Sequence, residues 1–267
     1  MGQVAHEAEK VITAKVDEDF ARAATIPSLA SAQARFGRTA ATRLGALPGH
    51  PAYNKARGFN DDDLDHLDAI CAFFTDAAHQ PLIEVWAGDA SATLGRRLAR
   101  AGLYAADVNV TLRMPTGPPA TPSDPSMDIR ELTGDDDDVY LDTLFQGYEL
   151  STAALPQRTM MALEHSSPHL RRYVAYVDGQ PAAAAGLYST EQGAYFAGAA
   201  TVPAMRGRGC QSALIQRRRH DAAAHADSVV VTTAFGSPSQ ANLQRLGFTI
   251  VHTRTLWRLL DADRTVA

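Results

Sequence analysis

One segment constrains this chain more than any other: Thr201-Val202-Pro203-Ala204-Met205-Arg206-Gly207-Arg208-Gly209-Cys210-Gln211. It joins a strand-like run, Ala194 to Val202, to a helix-like run, Cys210 to Ala226. Glycines at such a junction accept positive φ and let the backbone come close to a ligand. The exposed N–H groups of the new helix and its dipole favour negative charge there. The bland reading is an Arg/Gly surface turn. The alternating strand, the proline and the amphipathic helix, in that order, favour a phosphate-holding turn within an α/β fold.

Downstream lies Phe235-Gly236-Ser237-Pro238-Ser239-Gln240-Ala241-Asn242-Leu243-Gln244-Arg245-Leu246-Gly247-Phe248. Arg206 and Gly209 after Val202-Pro203, followed by this segment with its terminal Leu-Gly-Phe, resemble the two acyl-CoA-contacting segments of the GNAT superfamily of N-acyltransferases. The resemblance covers roughly residues 127 to 260. Gln211 departs from it, standing where the general pattern has a small residue.

The resemblance implies a mixed sheet with helices on both faces and acetyl-CoA, or another acyl-CoA, as co-substrate without a metal. It places the pantetheine and thioester at Ala200, Thr201 and Val202. The pyrophosphate falls to the backbone of Arg206, Gly207, Arg208, Gly209, Cys210 and Gln211, with Ser237 and Asn242 as further contacts. Catalytic candidates are Glu149 and Tyr195, with Tyr148 and Glu191 beside them, for the base, and Asn242, with Ser237 and Ser239 nearby, for the proton donor to the thiolate. Many family members protonate the departing thiolate with a tyrosine a few residues before the Gly-Phe pair, but this chain has Leu243 there. Ser237 also reads as the N-cap of a Ser-x-x-Gln capping box with Pro238 at the first helical position. Cys210, beside a helix start, reads either as a low-pKa thiol or as a buried small residue.

The chain also echoes itself. Leu98-Ala99-Arg100-Ala101-Gly102-Leu103 parallels Leu243 to Phe248, Leu112-Arg113-Met114 parallels Trp257-Arg258-Leu259, and Asp76-Ala77-Ala78 parallels Asp221-Ala222-Ala223, all in one register. A duplicated helix–strand–helix–strand unit follows, giving two pseudo-repeated halves. The expected division is residues 1–115, a Pro-rich linker at 116–126, and an acyl-CoA-binding domain at 127–267. In that register Asn60-Asp61-Asp62-Asp63-Leu64-Asp65 occupies the place of the phosphate loop. Carboxylates there repel a pyrophosphate, so the first half reads as one that no longer binds acyl-CoA. Asn60 is the expected N-cap of a charged helix start, its aspartates in the first turn where the dipole favours them.

In the second half the pattern predicts helices over 135–150, 155–165 and 210–226 and another from Ser237. Strands are expected at 127–132, 169–178, 180–190, 193–202, 228–233 and 249–259, with Asp178-Gly179 a hairpin turn. The region before Arg35 carries no clear pattern.

Composition sets the outer bounds. A net charge of −5 over 267 residues lacks the electrostatic footprint of a nucleic-acid binder. Arg217-Arg218-Arg219-His220 is read as a solvated helix face, with a contact to the nucleotide end of CoA as the alternative. Cys71 and Cys210 form no disulfide framework. No apolar run reaches membrane-spanning length, and His6 stands where a myristoylation signal wants Ser or Thr. The expectation is a cytoplasmic monomer or homodimer. It would transfer an acetyl group directly to the amine of a small molecule, an amino acid, a metabolite or an antibiotic or toxin, with no nucleic-acid or membrane partner. A non-catalytic acyl-CoA sensor or partner subunit, and a protein-modifying acyltransferase, are the alternatives.

Overall fold

The computed structural model describes residues 2–118, 127–134, 137–151 and 154–260. The first half contains helix α1 (Gly2–Ala23), strands β1 (Ser31–Phe36), β2 (Thr39–Leu44) and β3 (Lys55–Arg57), helix α2 (Leu67–Thr75), strand β4 (Leu82–Trp86), helix α3 (Ala92–Arg100) and strand β5 (Leu103–Pro115). The second contains β6 (Met127–Leu132), α4 (Asp137–Gly147), α5 (Leu155–His165), β7 (Leu170–Val177), β8 (Gln180–Thr190), β9 (Gly193–Thr201), α6 (Cys210–Ala222), β10 (Ser228–Ala234), α7 (Pro238–Arg245) and β11 (Thr249–Leu259). The expected meander is present, and its hairpin turns on Asp178 and Gly179, both at positive φ. Residues 119–126 of the expected linker lie outside the described residues.

All eleven strands form a single mixed sheet, ordered β1-β2-β3-β4-β11-β5-β10-β9-β8-β7-β6. Its centre holds an exchange. β11, the last strand of the chain, pairs with β4 of the first half, and β5, the last strand of the first half, pairs with β10 of the second. β5 and β11 run antiparallel side by side from Thr249↔Arg113 to Leu259↔Leu103. Val110, Thr111 and Leu112 at this seam are completely buried.

The repeat is visible in matching details. Ser91 caps α3 by accepting from Leu94 N–H at 3.0 Å, and Ser237 caps α7 by accepting from Gln240 N–H at 3.2 Å. Gly102 and Gly247 end the two helices at φ +78° and +98°.

Alternating residues of the second half face two layers, as period 2 requires. Val174 and Ala184 pack with Leu144 and Phe145 of α4, while Tyr173, Ala175 and Ala185 pack with Leu214 and Ile215 of α6. Helix α1, with no clear pattern in the sequence, crosses the α4 side against Leu170, Tyr188, Ala197 and Val230.

Two charged runs each bury one member. Asn60 does cap its helix, accepting from Asp62 N–H, but the helix starts as a 3₁₀ turn over Asp61–His66. Asp63 is turned inward. It is 1% exposed and accepts from Arg38 N–H, Thr39 N–H, the Thr39 hydroxyl and Asn60 Nδ2. The carboxylate ties down the β1–β2 turn, where a Cβ on Gly37 would lie 1.9 Å from its Oδ1. The basic run is not a uniformly solvated face, because Arg218 is 2% exposed. Its guanidinium donates to Gly186 O and Leu214 O and lies over the Phe196 ring. The β8 and β9 side chains at that spot are small or flat enough to admit it.

Candidate active site

β9 and β10 run parallel only at Val229↔Ala194 and Val230↔Tyr195, then part. The cause of the parting lies on the other edge of β9, where Gly198 is an extra residue between the pairs Gly186↔Ala197 and Ala185↔Ala199. A bulge bends its strand and re-aims the N–H groups that follow. Gly198 sits at φ +34°, and a Cβ there would meet His165 Cε1 at 2.9 Å. The opening between the strands separates two cavities that share one residue, Tyr148.

The first cavity, about 540 Å³, runs along the α6 N-terminus. Gly207 and Gly209 adopt φ +80° and +83°, and no side chain caps the helix. A Cβ on Gly207 would meet nothing within 4 Å, so this glycine serves backbone conformation and open access rather than close packing. Uncapped N–H groups, the helix dipole and open space above them suit a pyrophosphate. The groove is long enough to pass from this loop to the Gly198 bulge, with Ala199, Ala200 and Thr201 on its wall. Of the residues expected to hold the cofactor, Ala200, Thr201, Arg206, Gly207, Gly209, Cys210, Gln211 and Asn242 line it.

The others have different surroundings. Ser237 Oγ is engaged as the α7 cap, and Val202 precedes a 3₁₀ turn at Pro203–Met205. Arg208 pairs with Asp178 of the hairpin at 3.0 Å. Gln211, the departure from the family pattern, accepts from Asn242 Nδ2 at 2.7 Å and so links α6 to α7 across the groove. Leu243 is buried in the core, 3% exposed. Arg218 reaches the groove from below, and no carboxylate lies within ion-pair distance of it among the described residues. Burial pulls its guanidinium down to about 10.

The second cavity, about 490 Å³, lies on the other side of Tyr148, between α1, α5 and the sheet centre. Both halves of the chain line it, Lys15, Tyr53 and Arg57 from the first, Glu164, His165 and Tyr195 from the second. Burial lifts the Glu164 carboxyl to about 7, although Lys15 and a hydrogen bond from Tyr53 favour its charged form. Burial also pulls His165 down to about 3, leaving it neutral beside the Tyr140 hydroxyl at 3.1 Å. Tyr195 spans the splay, its hydroxyl 3.0 Å from Thr232 Oγ1.

Tyr148 forms the wall between the cavities. Gly147 makes this possible, since a Cβ there would lie 2.6 Å from Ala200 Cβ. Its hydroxyl accepts from Ala199 N–H at 2.9 Å, which leaves its own proton for a second partner. Burial, opposed by that N–H, pushes the phenol up to about 12, so it stays protonated at neutral pH. Glu149, the next residue, faces away. It is at φ +58°, lines neither cavity, and pairs at 2.9 Å with Arg206, which lines the first. Glu191 lies in the exposed β8–β9 turn. Glu164 gave no signal in the sequence, being a lone acidic residue near the end of an ordinary amphipathic helix.

Residues 138–248 match the Acetyltransferase (GNAT) family. The chain carries a GNAT acetyltransferase domain. Solved structures extend the likeness in fold beyond that domain. A GCN5-related N-acetyltransferase from Kribbella flavida superposes with a TM-score of 0.63 at 15% identity, covering 91% of this chain and 96% of that one. A tandem GNAT protein from the clavulanic acid biosynthesis pathway gives 0.60 at 16% identity, over 92% of this chain and 89% of that one. A functionally unknown conserved protein from Staphylococcus epidermidis gives 0.62 at 12% identity, over 87% and 96%. No curated protein matches the sequence. The GNAT domain thus sits in a two-half arrangement shared with other structures. No helix among the described residues is long and apolar enough to cross a membrane. Among the same residues, no cluster of His, Cys, Asp and Glu could hold a metal ion.

Proposed function

We propose that the protein transfers an acetyl group from acetyl-CoA directly to the amine of a small molecule. The observation that carries this reading is the pair of cavities meeting at Tyr148 and the Gly198 bulge. One is open along an anion-binding helix start, and the other is lined by a buried carboxyl that titrates near neutrality. The acyl donor occupies the first cavity, its pyrophosphate at Gly207 to Gln211 and its thioester at the bulge. The amine enters the second.

Glu164 accepts a proton from the bound ammonium, and the freed nitrogen attacks the thioester carbonyl carbon. Orientation of the two reactants supplies most of the acceleration. When the carbon–sulfur bond breaks, Tyr148 gives its proton to the thiolate, and the second nitrogen proton, released from the new amide, restores the phenol directly or through solvent. The uncompensated charge of Arg218 beneath the groove favours the departing anion in the meantime. These two groups supply what Leu243 lacks.

Thiol release from acetyl-CoA, screened over amines of varied class, tests the reading. A sequential mechanism is expected, with Cys210→Ser keeping most activity, because this thiol is packed in the core at 2% exposure. An acetylated Cys210 with ping-pong kinetics would overturn direct transfer.

A further inference from the structure

The second cavity has two electrically different ends. At one, Lys15 Nζ reaches Asp19 Oδ2 at 2.5 Å, while Asp19 Oδ1 is buried with no hydrogen-bond partner. Glu164 lines the cavity beside this pair. At the other end three cations converge. Arg254 makes a two-pronged contact with Glu9 at 2.7 and 2.8 Å, and Lys55 reaches Glu84 at 3.0 Å. Arg57 has no such partner. Its guanidinium donates to the Thr42 hydroxyl at 2.8 Å and to Ala52 O at 2.6 Å, and no carboxylate lies within ion-pair distance among the described residues.

Within ion-pair distance among the described residues, Lys55, Arg57 and Arg254 have only Glu9 and Glu84, three positive charges against two negative, a local surplus of one, with Glu164 feeling Arg57 from across the cavity. His252 Nε2 shares Glu9, 2.7 Å from its Oε1. Lys55 and Arg57 are 8% and 7% exposed, and both line the cavity. A buried cation without a counter-charge is costly unless a ligand supplies one. A buried carboxylate oxygen without a donor poses the same demand with opposite sign.

We infer that the acceptor is an amino acid or a related amino-carboxylate, its ammonium held by Asp19 and Glu164 and its carboxylate by Arg57 and Lys55. The surplus of one charge matches a carboxylate and falls short of a phosphate dianion. A guanidinium fork also matches a carboxylate in geometry. Between the ends, Ile12, Val16 and Met161 offer an apolar wall for the rest of the molecule.

This inference rests on the acetyltransferase reading for the identity of the cavity, but its test is one of binding. Calorimetry with CoA present would compare the common amino acids with their carboxamides, on the wild type and on Arg57→Met and Arg57→Lys. At least one amino acid should bind about a hundredfold tighter than its carboxamide. Arg57→Met should erase that gap, and Arg57→Lys should keep part of it. Carboxamides binding as tightly as the acids in the wild type, or no amino acid binding at all, would overturn the inference whatever the fate of the variants. Thiol release is read separately. An amino acid that binds with this selectivity yet releases no thiol from acetyl-CoA would refute the transferase reading while leaving carboxylate recognition standing.

Discussion

Replacing Glu164 by glutamine keeps the side chain's shape and an acceptor for the Tyr53 hydroxyl, but removes the group that would take the substrate proton. With the carboxyl near 7, about one molecule in ten carries the ionised base at pH 6, half at pH 7 and most at pH 8. On the proposed mechanism kcat/KM gains about tenfold per pH step below 7, and this limb bends there on top of the amine's own titration. Glu164→Gln should lose the bend and fall by roughly 10²- to 10⁴-fold, the usual worth of a general base.

Stability should move the other way. A carboxyl raised from 4.5 to about 7 by burial makes the folded state bind more protons than the unfolded one across that window. Stability therefore falls as pH rises from about 4.5 to about 7. The full difference converts to roughly 3 kcal/mol at ~1.4 kcal/mol per pKa step, an upper bound. Glutamine escapes that penalty. The variant should unfold a few degrees higher than wild type at pH 8, about 2–4 °C per kcal/mol, and at nearly the same temperature at pH 5. Stopped assays of thiol release across pH, with thermal unfolding at pH 5 and pH 8, read both arms. A variant that keeps the bend near pH 7, or that melts lower than wild type at pH 8, would refute the assignment of Glu164 as the base.

Gly209→Glu puts a side chain at φ +83° and a negative charge at the α6 start. Calorimetry should show acetyl-CoA binding weakened by roughly a hundredfold from a single site per chain, and two equal sites would contradict the reading of the first half as non-binding. Gly198→Ala forces a Cβ to 2.9 Å from His165. It should cut kcat by about tenfold or more with little change in the acetyl-CoA dissociation constant, and an unchanged kcat would remove the bulge from the mechanism. Residues 127–267 expressed alone lack β5, the strand between β10 and β11. That fragment should fail to give cooperative unfolding or activity, and a stable, fully active fragment would show the strand exchange to be dispensable.

Local chemistry was legible in the sequence because its causes are local. Gly207 and Gly209 need positive φ, Ser237 caps with Gln240 three residues on, and Asp178-Gly179 turns a hairpin, each within a handful of residues. The second-half strands and the glycine-rich turn before α6 follow from such signals, and so does the repeat, since Gly102 and Gly247 solve the same problem at the same place. Tertiary structure decided the rest. Which half β5 and β11 belong to depends on pairing across more than a hundred residues, and no local pattern records it. Helix α1 went unread because Glu9, Lys15 and Asp19 interrupt its buried face. A stripe that roofs a polar cavity is not apolar, so its helical period is masked. Arg218 and Asp63 look like surface charges in the sequence, yet each is buried among partners contributed by distant strands. Glu164 follows the same rule. Its residue type is common and its spacing ordinary. What sets it apart is the loss of water around it, which α1, α5 and the sheet centre impose only when they close together.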